Sequence, residues 1–171
     1  MGTRGSVGVI YQEQEKLGYN QFESYPYGLG IEVLNIISKI NREDGWNKFK
    51  ENVSQLKNIK EKEITNSELL TKYERYADLS VSKQKISDPY CLFRKIQGSE
   101  WLNEVYSGYL QDYPFNNKFI YDSLFCEYAY IMNYTQTKDL CVSRFIDFSN
   151  ENASPCFCFK SNLRPTTRLY F

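Results

Sequence analysis

The hydrophobic period changes twice along this chain, and that change decides what it can fold into. Near the N-terminus, Val7, Val9 and Tyr11 alternate onto one face, as a half-buried strand requires. From Ile31 the spacing becomes three and four. Ile31, Leu34 and Ile37 run with Val33, Ile36 and Ile40, and Trp46, Phe49, Val53 and Leu56 repeat the pattern. From Leu124 the period returns to two: Phe125, Glu127, Ala129 and Ile131 alternate with Cys126, Tyr128, Tyr130 and Met132. Strands at each end with helices between predict an α+β fold. Two hairpins, each marginal alone, gain by joining one antiparallel sheet with the helical middle section packed on it.

The connections follow from turn and cap residues. The polar run 12–15 turns the chain, and residues 16–20 return it with Leu17 and Tyr19 on one face. Thr65-x-x-Glu68 matches a capping box that opens a third helix on Leu69, Tyr73 and Tyr76. Asp88 before Pro89 suits an N-cap, Gly98 suits the end of the short helix that follows, and Ser99 suits the next cap. Residues 112–122, with Pro114, Asn116 and Asn117, read as a loop. The second hairpin turns over 135–138 and returns through Leu140, Val142, Arg144 and Ile146. The tail 149–171 is broken at Pro155 and Pro165, with short edge strands expected at 156–159 and 169–171. No repeat or linker divides the chain, so residues 1–171 read as one domain.

Composition removes several functions. Net charge is zero, from 21 basic and 21 acidic residues, which disfavours bulk nucleic-acid binding. No apolar run approaches a membrane span and no signal-peptide pattern opens the chain, so a cytoplasmic location is expected. The absence of His removes the usual general base and the commonest metal ligand. Cys91, Cys126, Cys141, Cys156 and Cys158 make an odd count suited to reduced thiols. Cys156-x-Cys158 lacks a second close pair, so neither a metal centre nor a cofactor is expected. The 15 Tyr suit pocket linings and interfaces, although an AT-rich coding sequence explains the same count. The oligomeric state stays open.

The stretch Ser24-Tyr25-Pro26-Tyr27-Gly28-Leu29-Gly30 joins the first hairpin to the first helix. Pro26 keeps Tyr25 out of the helical region, and the glycines admit angles other residues avoid. A Gly-rich loop feeding a helix N-terminus presents unpaired amides beside a positive dipole end, a plausible anion site. Neither nucleotide fingerprint is met, and the alternative is that Gly and Pro only form a turn. Arg4 begins the first strand and Asn20 ends the second, so antiparallel pairing sets them at the end from which the loop leaves. The candidate ligand site is therefore Arg4, Asn20, Glu23, Ser24, Tyr25, Gly28 and Gly30. Arg4 would pair with a phosphate or carboxylate, Glu23 would anchor Arg4 or accept a ligand hydroxyl, and Tyr25 with Tyr27 would stack on a ring. The rival account is an Arg4–Glu23 pair that pins the loop and binds nothing.

Met1-Gly2-Thr3-Arg4-Gly5 and Tyr19-Asn20-Gln21-Phe22-Glu23-Ser24-Tyr25-Pro26-Tyr27-Gly28-Leu29-Gly30 carry a resemblance. They resemble a family of bacterial, phage and fungal proteins whose N-terminus runs Met-Gly-Thr-Arg-Gly, then Tyr-Asn-His-x-Asp-Ser-Tyr-Pro-x-Gly-Leu-Gly. The likeness covers about the first 30 residues, with a weaker echo at 127–132. Gln21 stands in place of the His and Glu23 in place of the Asp, so no mechanism needing an imidazole there applies. The resemblance implies no activity. Its phage members suggest a protein in a host cytoplasm that sequesters an anionic nucleotide-type signal of host defence. Two alternatives stand beside this small-ligand-binding reading. One is a hydrolase, either on a processed N-terminal Thr3 or on carboxylates including Glu23; removal of Met1 alone exposes Gly2, which has no nucleophile. The other is a protein–protein inhibitor with no small ligand.

Overall fold

The computed structural model describes residues 2–60, 64, 67–80, 86–122, 124–134 and 141–142. Strands β1 (Gly5–Tyr11) and β2 (Gln14–Asn20) form an antiparallel hairpin in which Tyr11 pairs with Gln14 and Gly5 with Asn20. Helices α1 (Ile31–Arg42) and α2 (Trp46–Gln55) follow, then the two-residue strand β3 (Lys57–Asn58). Helix α3 (Ser67–Tyr73) leads into a 3-10 turn at Glu74–Tyr76. Helix α4 (Pro89–Leu92) and a second 3-10 turn, Arg94–Ile96, precede α5 (Glu100–Ser107). Strand β4 (Asp112–Tyr113), a turn at Phe119–Tyr121, and strands β5 (Tyr128–Tyr134) and β6 (Cys141–Val142) complete the order.

The fold is α+β, and both end segments enter one four-stranded sheet of order β2-β1-β5-β6. The expected antiparallel sheet is corrected to a mixed one: β5 runs parallel to β1, with Gly5 beside Tyr128 and Val9 beside Met132. The helical middle carries the chain back to the end where β1 begins, so β5 sets out in the same direction. β5 and β6 pair antiparallel, Met132 opposite Val142. Leu124 and Phe125 are exposed ahead of the strand, where the amides of Phe125 and Cys126 turn back onto the Asp122 carbonyl. The expected turn at 135–138, residues 143–146 and the tail lie outside the described residues, as does Thr65 of the capping box.

Alternation gives the sheet two different faces. Val7, Val9, Tyr130 and Met132 join Val33, Ile36 and Ile40 of α1, Phe49 and Val53 of α2, and Trp101, Leu102 and Val105 of α5 in the main core. Leu17, Ala129 and Ile131 form a smaller core on the other face under Ile120. Lys16 faces the helices; its ammonium is buried and donates to the carbonyls of Val53 and Leu56, where α2 ends. A cation there meets the negative end of the helix dipole.

Asp88 caps α4 as expected, accepting from the Tyr90 amide at 2.9 Å. Ser99 makes no side-chain cap; its hydroxyl donates instead to Glu32 Oε2 at 2.7 Å, tying α5 to α1. The stretch expected to be loop, 112–122, contains β4, which pairs parallel with β3, and the turn at Phe119–Tyr121. No helix among the described residues is long and apolar enough to cross a membrane.

Candidate functional site

The loop proposed to hold an anion is closed on itself. The amides of Gly28 and Gly30 donate to the Tyr25 carbonyl, and that of Leu29 donates to the Glu23 carbonyl. The Ile31 amide turns back onto Gly28 and Pro26. Ser24 is fully buried: its amide donates to Thr3 O, its Oγ accepts from Asn20 Nδ2 at 2.8 Å, and its carbonyl accepts from the Tyr130 hydroxyl at 2.8 Å. A Cβ on Gly28 would stand 2.7 Å from the Glu23 carbonyl, and one on Gly30 would press the Tyr130 ring. Both glycines thus serve close packing. Tyr25 and Tyr27 are exposed, and the Tyr25 ring lies 5.8 Å from that of Tyr128.

Asn20 and Ser24 meet on the helix-facing side of the sheet, opposite Gly5. Arg4 goes to the other side. Its backbone exchanges hydrogen bonds with Glu127, and its guanidinium sits 5.1 Å over the Phe125 ring. Among the described residues it makes no ion pair with Glu23, which is exposed in a left-handed conformation.

A cleft of about 590 Å³ opens beside Tyr19. Four separate stretches build it: Tyr19 of β2; Asn58 of β3 with Ile59 and Lys60; Pro89, Tyr90, Phe93 and Gln97 around α4; and Tyr113 of β4 with residues 114–116. The outer edge of β2 explains why they converge. Its Leu17 amide donates to Asn117 Oδ1, its Leu17 carbonyl accepts from the Asn116 amide, and its Tyr19 carbonyl accepts from the Gly98 amide. Those bonds satisfy edge groups that would otherwise need another strand. They also hold Gly98 and residues 116–117 against β2, so that Gln97 and residues 113–116 line the cleft with Tyr19.

The cleft walls are aromatic and its polar groups are mostly amides. Tyr19 lies 6.5 Å from Tyr90 and 4.8 Å, edge-on, from Phe119. Tyr113 is backed by Trp101, stacked at 5.4 Å, and by Phe93 and Phe115. Phe115 is fixed by its amide, which donates to Asn58 Oδ1 at 3.1 Å. Burial pushes the Tyr113 hydroxyl far up, so it is neutral. Burial also raises Tyr19, against the pull of the Arg4 charge and, more weakly, of Arg94. The sequence signal for these residues was the high Tyr count; 113–116 follow no period. Comparisons with protein-family models, with curated proteins and with solved structures each return no match, so the reading of this cleft stands on its geometry.

Proposed function

We propose that the chain is a small-ligand-binding protein and that the aromatic cleft receives a flat heteroaromatic ring of nucleotide type. One observation carries this: Tyr19, Tyr90, Phe93, Tyr113 and Phe115 line one opening together with the amides of Asn58, Gln97 and Asn116. Ring faces offer stacking and amides read the hydrogen-bonding edge of a base. The volume lies in the range of about 300–1,000 Å³ usual for small-molecule sites. The described lining residues include no carboxylate, thiol or aliphatic hydroxyl; their ionisable groups are the Lys60 amine and the tyrosine hydroxyls. An aromatic and amide lining of this kind supports holding a ligand. It suits a phage-type protein that sequesters a host nucleotide signal, the setting the N-terminal resemblance suggests.

The test is a thermal-shift screen of nucleobases, nucleosides and nucleotides on the wild type and on Tyr90→Leu. At least one base-containing compound is expected to raise the unfolding midpoint. Loss of one stacking ring is expected to weaken it by about fivefold or more, from about 1–3 kcal/mol per stacked base. No response to any base-containing compound, or an undiminished response in Tyr90→Leu, overturns the reading.

A further inference from the structure

We infer that Arg94 and Arg4 form an anion-binding end of the aromatic cleft, so that its ligand is a phosphorylated nucleoside and not a neutral one. The inference rests on the cleft reading above. Arg94 stands in the turn after α4, its guanidinium carbon 4.7 Å from the centre of the Tyr90 ring and 5.4 Å from that of the Phe22 ring. Its Nη1 donates to the Tyr90 hydroxyl and, at 3.2 Å, to Gln97 Oε1. Tyr90 and Gln97 both line the cleft, so the charge is fixed directly behind its wall. Its Nη2 and Nε protons have no partner among the described residues.

Arg4 approaches from the strand side. Alternation places it on the sheet face that carries Tyr19, and its guanidinium makes no hydrogen bond or ion pair to a described residue. Neither guanidinium lines the cleft itself, but both charges act on Tyr19, which does.

The neighbouring carboxylates form no ion pair with either guanidinium among the described residues: Glu127 Oε1 accepts from the Arg4 amide, and Asp78, on which the Arg94 charge acts, accepts from the amide and hydroxyl of Ser80. The ion pairs among the described residues, Lys72–Asp112 and Arg75–Glu104, leave Arg4 and Arg94 out. Two guanidinium groups outside any ion pair among the described residues, each lying over an aromatic ring, are preset for a phosphate. The planar guanidinium fork matches phosphate oxygens in a bidentate way that an ammonium does not.

The experiment is calorimetry on the full chain with the four ribonucleoside 5′-diphosphates, their parent nucleosides and sodium pyrophosphate. Wild type is compared with Arg94→Met, Arg94→Lys and Arg4→Met. The responding base is expected to bind as its diphosphate at least about tenfold more tightly than as its nucleoside, with added salt weakening only the diphosphate. Either Met substitution should abolish most of that advantage. Arg94→Lys, which keeps the charge and loses the fork, should reduce it and stands in if Arg94→Met does not fold. Equal affinity of diphosphate and nucleoside, or variants that keep the full advantage, overturns the anion end while the cleft reading survives. Pyrophosphate binding that the Arg variants abolish, with no nucleoside bound, supports the anion end and removes the ring cleft. Silence from every probe overturns both.

Discussion

Gln12 and Glu13 hold φ angles of +50° and +62°, a conformation that costs a side-chain-bearing residue roughly 1–2 kcal/mol. They form the two-residue loop between Tyr11 and Gln14, and positive φ at both positions is the hairpin turn that favours Asn-Gly. Gln12→Asn with Glu13→Gly is therefore expected to stabilise the protein by about 1 kcal/mol or more, read as a higher urea midpoint. An unchanged or lower midpoint would show that neighbouring contacts already offset the strain. Gly98 and Gly108 hold positive φ, of +71° and +85°, whereas at Gly5 and Gly45 glycine is required by proximity. A Cβ on Gly5 would sit 2.7 Å from Ser24 Cβ and 2.8 Å from the Tyr128 carbonyl, so this one position holds β1 against both the loop and β5. Gly45 has the same role under the Tyr106 hydroxyl, which donates to Glu43 at 2.6 Å.

At the scale of elements, β1 is the hub. It is paired on both edges, and Ser6, Val7, Gly8 and Val9 are buried. Its amides are expected to exchange with solvent most slowly, measured by NMR or mass spectrometry; exchange slower in α3 than in β1 would refute this ordering. The strands and helices around it were legible because periods of two and of three to four leave different marks on the sequence. The direction of β5 was not, since alternation looks the same in parallel and antiparallel pairs. β3 and β4 have two residues each, too few to show a period. For the loop candidates, the hairpin register did put Arg4 and Asn20 at one end. The same alternation sends their side chains to opposite faces, because Asn20 pairs with Gly5 and Arg4 lies one position away. The self-bonding of the 24–30 amides had no sequence signal, because a Gly-rich turn looks alike whether its donors face inward or outward.

For the whole molecule, the buried acids set the alkaline limit. Burial, helped by the Glu104 carboxylate, pushes the Tyr76 hydroxyl to about 12. Burial with nearby Asp122 and Glu127 pushes the Cys126 thiol to about 12, and burial raises Tyr113 and Tyr130 further. Each keeps its proton longer folded than unfolded, so stability is whole below the ordinary thiol value of 9.0 and falls as pH rises above it. A wholly buried group such as Tyr113 contributes up to about 1.4 kcal/mol per pH unit. Lys16 works the other way: burial lowers its pKa, so stability gains from it as pH rises toward 10.5. One ammonium opposes several acids, and the urea midpoint is expected to drop between pH 8 and 11; a flat or rising profile would refute that balance. The cleft has its own consequence at this scale. Its walls come from Tyr19, residues 58–60, residues 89–97 and residues 113–116, so it exists only when all four stretches are in place. An occupant held there at a hundred times its Kd adds about 2.7 kcal/mol to the folded state and thins the open population about a hundredfold. Cellular proteases draw on that open population, so the abundance of the protein would track the concentration of whatever fills the cleft.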